Sequence, residues 1–108
     1  MKGDLLRGHL DALLLAALAT GPTHGYGVIG RMRHTSDGEL ELAEGTVYPA
    51  LHRLEQDGLL SCTAELSQGR RRRVYALTED GERALAQHRA EWHRFSSVVT
   101  RMLMAATA

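Results

Sequence analysis

The sequence predicts a mainly α (α+β) fold: a winged helix-turn-helix followed by a long C-terminal dimerisation helix. Three observations carry this expectation. Three successive stretches show the apolar spacing of a helix. The pattern then switches to period-two alternation on both sides of Ser67-Gln68-Gly69. A last helical stripe is too long for the preceding elements to cover.

Residues 4–19 place Leu6, Leu10, Leu13, Leu14, Ala17 and Leu18 at spacings of three and four, which predicts a helix that Gly21-Pro22 ends. Thr23 is the expected cap of a second helix over residues 24–35, with Tyr26, Ile29 and Met32 inward and Gly38 as its stop. Leu40 and Leu42 alternate with Glu39, Glu41 and Glu44 in a short extended stretch or turn. A third helix is expected over residues 44–57, with Val47, Leu51 and Leu54 on one face and Gly58 after it. Alternation then predicts a hairpin with strands at 59–66 and 72–78, with Cys62 inward. Thr78, followed by Glu79, Asp80 and Glu82, starts a last helix reaching to about residue 104, with acids at its positive end.

The chain has 108 residues, 44% of them hydrophobic, which fits one modest core. The expected organisation is a winged helix-turn-helix domain over residues 1–78 and a dimerisation helix over 79–108. One cysteine excludes an internal disulfide framework and a cysteine-based zinc site within one chain. No apolar run is long enough for a membrane span, and no signal peptide is read at the start, so a cytoplasmic protein without a membrane partner is expected. The 13 Lys+Arg balance the 13 Asp+Glu, but the charges are segregated. Arg70 to Arg73 are contiguous, while Asp37, Glu39, Glu41 and Glu44 cluster elsewhere.

In the last helix, a heptad with Leu85, Trp92, Val99 and Ala106 at one seam position and His88, Phe95 and Met102 at the other is apolar at all positions but His88. Leu85, Trp92, Phe95, Val99 and Met102 are therefore the expected dimer interface; the alternative is a helix folded back on its own domain. Gly25-Tyr26-Gly27-Val28-Ile29-Gly30 spells a dinucleotide-type glycine pattern, but a helix and a cap precede it where that site needs a strand. Its glycines are read instead as permitting close helix approach.

Gly45-Thr46-Val47-Tyr48-Pro49-Ala50-Leu51 opens the third helix and leaves Thr46, Tyr48 and Pro49 at its exposed N-terminal end, with His52 and Arg53 outward one turn on. Such an end suits a major groove or a phosphate, or is merely a helix start. Gly69 and Arg70, Arg71, Arg72 and Arg73 form the hairpin tip and the following strand, fit for DNA phosphates or a minor groove; a solvated run blunting an edge strand is the alternative. Trp92 is either a core aromatic sealing a dimer or a plate for a flat ligand, with His88, Ser96 and Val99 on nearby faces. Gly8 and Ala12 of the first helix supply small groups beside such a space. His88 and Glu91, at i and i+3, could join a metal site across a dimer, but no metal or cofactor is assigned. No nucleophile–base or paired-carboxylate pattern stands out, so an enzyme is not expected.

These segments resemble the PadR family of bacterial transcriptional regulators over nearly the whole chain. The resemblance is strongest in Pro22-Thr23-His24-Gly25-Tyr26-Gly27, in residues 45–60 and in residues 69–85. The single C-terminal helix is similar to the short subgroup. Glu91-Trp92-His93 also resembles a multidrug-binding member, whose corresponding tryptophan stacks planar drugs at the dimer interface. The resemblance implies a homodimeric repressor of adjacent genes that binds palindromic double-stranded DNA and is released by a small planar or aromatic effector. Thr46, Tyr48, Pro49 and the wing arginines would face DNA, and Trp92 would touch ligand. Two residues depart from the pattern. Ala43 stands where many members have a capping Ser, and Ser96 where the drug-binding member has an acid; Asp11 could supply that acid from the first helix. The alternatives are a metal-responsive regulator of the same fold and a winged-helix protein-interaction module without DNA binding.

Overall fold

A computed structural model of the chain describes residue 6 and residues 8–105. The expected helical start at residues 4 and 5, and Ala106 of the heptad series, lie outside the described residues. The elements run α1 (Leu10–Ala17), β1 (Thr23–His24), α2 (Gly25–Thr35), α3 (Glu44–Gln56), β2 (Leu60–Ser67), β3 (Arg70–Leu77) and α4 (Glu79–Ala105). The strands form one antiparallel sheet in the order β1-β3-β2.

The core is where the three helical stripes meet. Leu14, Leu15 and Leu18 come from α1 and its end, Val28, Ile29 and Met32 from α2, and Val47, Ala50, Leu51 and Leu54 from α3. Leu60, Tyr75 and Leu85 close it from the sheet and from α4. Leu40 and Leu42 pack on it from the α2–α3 connection, and Cys62 does so from β2. Arg31 fastens the layers from outside: its Nη1 donates to the carbonyls of Ala17, at 3.0 Å, and Gly21, at 2.6 Å. Helix α1 therefore ends in a turn anchored to α2.

Several local expectations are corrected. Thr23 does not cap α2. It lies in β1, opposite Tyr75, and His24 is the cap, its Nδ1 accepting from the Gly27 N–H at 3.2 Å. Tyr26 points outward, 64% exposed, because it sits in the first turn of α2, ahead of the core that Ile29 and Met32 reach. The second hairpin strand begins at Arg70 rather than at residue 72, so all four arginines pair in the ladder, from Arg70 opposite Ser67 to Arg73 opposite Ala64. The turn is reduced to Gln68-Gly69, with φ of 52° and 76°. Two successive positive φ values match the twist of the flanking strands, and Gly69 takes its value without a Cβ penalty. The close-approach reading of the glycines holds in part. A Cβ on Gly25 would run into the Tyr48 ring, and one on Gly27 would run into Thr23 Oγ1, a strand rather than a helix neighbour. Gly30 faces open space.

Thr78 caps α4, accepting from the Gly81 N–H at 3.0 Å and donating to the Gly58 carbonyl at 2.7 Å. The helix has 27 residues, about 40 Å at 1.5 Å per residue. Its first turns pack on α1 and β3. Beyond them it runs out past the other elements, and the longest extent of the molecule is 61 Å. Leu85, expected on the seam between copies, is taken up by the chain's own core at 5% exposure. Among the described residues, no helix is long and apolar enough to cross a membrane.

Candidate nucleic-acid interface

Helix α3 starts on Ala43, whose side chain makes no capping hydrogen bond. The first N–H groups of the helix thus lack a side-chain acceptor at the cap. Thr46, Tyr48 and Pro49 are exposed there, while Val47, Ala50 and Leu51 fix the opposite face in the core. Pro49 sits inside α3 without breaking it.

The two sides of α3 lead to different surroundings. On the wing side, Tyr48 lies against Gly25 and shares an open cleft with His24, Tyr26, Tyr75 and all four arginines, Arg70 to Arg73. Among the described residues, no carboxylate lines this cleft. Burial, and then the Glu44 carboxylate, push the Tyr48 phenol above its ordinary value, so it is a neutral hydroxyl that can donate. On the other side, Thr46 and Arg53 line a hollow with Gly8 and Asp11 of the first helical segment.

Ion pairs divide the expected DNA-facing residues. Arg73 is turned back towards α3. Its Nη2 donates to Glu55 Oε1 at 2.9 Å, its Nε to the Tyr75 hydroxyl at 3.4 Å, and its guanidinium carbon lies 5.9 Å from the Tyr75 ring centre. The hydrogen bond to Tyr75 leads the effects that raise Arg73 above its ordinary value. Arg73 therefore braces the wing against α3. His52 lies 3.8 Å from Glu55 as well, and Arg53 pairs with Asp11. Arg70, Arg71 and Arg72 are exposed, and Gly69 forms the tip.

The residues considered for an effector are not all in one place. Gly8 and Asp11 lie in the hollow with Arg53. Trp92 is elsewhere, edge-on to His9 with ring centres 5.4 Å apart and 6.1 Å from Phe95. Ala12 and His88 are half-buried on α1 and α4, and Val99 is half-buried further along α4. Ser96 donates to the His93 carbonyl of its own helix at 3.3 Å. His9 is the contact that sequence reasoning missed, since one histidine outside a heptad gives no periodic signal. Trp92, Phe95, Val98, Met102, Leu103 and Met104 are all exposed on α4. His88 and Glu91 belong to no group of three or more potential metal ligands among the described residues.

The comparisons agree with this architecture. The model of the Transcriptional regulator PadR-like family matches residues 14–87. A transcriptional regulator from Clostridium thermocellum superposes with a TM-score of 0.84 at 28% identity, over 92% of this chain and 97% of that one. A PadR family transcription regulator from Clostridium difficile gives 0.77 at 31% identity, over 89% and 99%. The transcriptional regulator Rv3488 of Mycobacterium tuberculosis is 50% identical over 48 residues, 44% of this chain and 45% of that protein. These are regulators, not enzymes. The matched segment takes in α2, α3, the whole wing and the start of α4, and on that ground the chain belongs to the PadR-like family of DNA-binding transcriptional regulators.

Proposed function

We propose that the chain is a homodimeric repressor of adjacent genes, released from a palindromic operator by a small planar effector. In this reading residues 1–78 bind DNA and residues 79–108 dimerise. The observation that carries it is the exposed stripe on α4, with Trp92 at 55%, Phe95 at 58% and Met102 at 72% exposure. Large apolar groups aligned along one helix and left uncovered by their own chain favour a second copy. Val99 lies on the same face.

Each protomer would then offer one α3 start and one wing. A two-fold dimer sets them against half-sites about one DNA turn apart, roughly 34–36 Å. Arg70, Arg71 and Arg72, with Gly69 at the tip, serve phosphates or the minor groove, and Arg73 keeps the wing in place. Thr46, Tyr48 and Pro49 meet the duplex at the helix start. His52 and Arg53 follow one turn on, where DNA competes with Glu55 and Asp11 for them. The effector site lies between the first and last helices, around Trp92, His88, Ser96 and Val99 of α4 and Ala12 of α1; Gly8 and Asp11 lie apart from it, in the hollow with Arg53. An effector releases DNA only if it binds one dimer geometry better than the other.

Two experiments test this reading. Replacing Arg70 to Arg73 by Ala should abolish binding to the chain's upstream promoter fragment and flatten its salt dependence, by a slope of about 0.9 for each phosphate no longer neutralised. Unchanged binding would refute the DNA assignment. Trp92 is the only tryptophan, so its fluorescence reports one place. Quenching by a planar aromatic, relieved when operator DNA is added, supports the effector site; quenching indifferent to DNA contradicts release.

A further inference from the structure

In the cleft beside the wing, two hydrogen-bond donors face each other. His24 caps α2 by accepting the Gly27 N–H on Nδ1 at 3.2 Å. A neutral imidazole has one accepting nitrogen and one N–H. Acceptance at Nδ1 therefore puts the proton on Nε2. Arg72 Nη1 lies 3.2 Å from that same Nε2, and a guanidinium only donates. The opposite tautomer would satisfy Arg72 but strand the Gly27 N–H in the first turn of α2. Arg72 is exposed and water can serve it. The part-buried backbone donor is the costlier one to leave unpaired, so the capping tautomer prevails.

The sheet holds the two donors in register. His24 pairs with Val74, and Arg72 lies two residues before Val74 on β3, hence on the same face. Glu65 stands opposite Arg72 on β2, but the guanidinium reaches His24, and Glu65 does not line the cleft. Two donors at this spacing fit one shared acceptor oxygen.

We propose that His24 Nε2–H and the Arg72 guanidinium grip one backbone phosphate of duplex DNA. This rests on the DNA-binding reading above and adds to it a residue outside both the wing and the recognition helix. The cleft is open, free of lining carboxylates among the described residues, and bordered by Tyr48 at the start of α3, so a duplex lying along that helix start presents its backbone there. His24 contributes a hydrogen bond and Arg72 supplies the charge.

The test uses the full chain and a mixed-sequence duplex of about three helical turns at low salt, since a phosphate contact is read on any sequence. His24→Asn keeps a side-chain oxygen able to cap α2 but loses the Nε2 donor. It should unfold thermally like the parent, bind the duplex about tenfold more weakly, and keep the parent's salt slope. Arg72→Gln should weaken binding and lower the slope by about 0.9. The double variant should bind little worse than Arg72→Gln alone, because both groups serve one oxygen.

Nitrogen-15 spectra of the unaltered protein keep the proposal testable if His24→Asn does not fold. They should show the Nε2–H tautomer and a shift of that resonance on duplex addition that Arg72→Gln abolishes. An Nδ1–H tautomer, a folded His24→Asn variant with parental affinity, or a resonance moved by inorganic phosphate but not by duplex would overturn the clamp. If replacing all four wing arginines abolishes binding and His24→Asn does nothing, the DNA reading stands and the clamp falls. If the parent ignores the duplex, both fall.

Discussion

Gly25, Gly27 and Gly30 share one motif in the sequence yet meet three different surroundings. Gly25 admits the Tyr48 ring, Gly27 admits Thr23, and Gly30 faces open space. Gly30→Ala should therefore stabilise the fold by up to ~1 kcal/mol through helix propensity, while Gly25→Ala should cost about 1–3 kcal/mol as Tyr48 is displaced. Thermal unfolding of the two variants checks the contrast, and equal shifts would refute it. Tyr48 gives a second residue-scale prediction. Its phenol is raised above the ordinary tyrosine value of 10.0. The folded state then holds the proton more tightly than the unfolded one, so this contribution is whole below about pH 10 and is lost as pH rises through the folded value. Tyr48→Phe should remove that part of the alkaline loss, seen as a shallower fall in unfolding free energy above about pH 10; an identical fall would contradict it. At this scale the sequence was only partly legible. The apolar positions of the core could be read from spacing. The exposure of Tyr26, the capping by His24 and the pairing of Arg53 with Asp11 depend on where neighbouring elements end, which spacing does not encode.

The elements were far more legible than their side-chain partners. Helices α2, α3 and α4 fall within a residue or two of their expected bounds because a sustained apolar period and glycine stops specify them. Strand β1 has two residues and cannot show a period, so its pairing with β3 is not visible in the sequence. The wing is longer than expected because charged arginines carry no apolar alternation, although their backbones complete the ladder. Burial changes along helix α4. Leu85 belongs to the core, while Phe95 and Met102 are exposed. Phe95→Glu with Met102→Glu should leave protomer unfolding nearly unchanged in dilute samples, since neither side chain is buried in the protomer. Light scattering should show the assembly fall to a single chain. A dimer that persists would place the interface elsewhere.

Across the whole molecule, α1 touches both α3 and the helix that carries the exposed apolar stripe, α4. Helix α1 packs on α4, and its Asp11 holds Arg53 of α3. The contact between Asp11 and Arg53 is not visible in the sequence, because the two are 42 residues apart. Exposed ion pairs contribute only about 0–1 kcal/mol, so Asp11→Asn should change stability little. Its effect should appear in operator affinity, with Arg53 freed for DNA and binding tightened; unchanged affinity would remove Arg53 from the interface. The central claim is a two-fold assembly that sets two wings on one duplex. Sedimentation velocity of the labelled upstream promoter fragment with the full chain tests it most directly. The account predicts a saturated complex holding two protomers per site, with no stable one-protomer species at lower ratios. A complex that saturates with one protomer would contradict it.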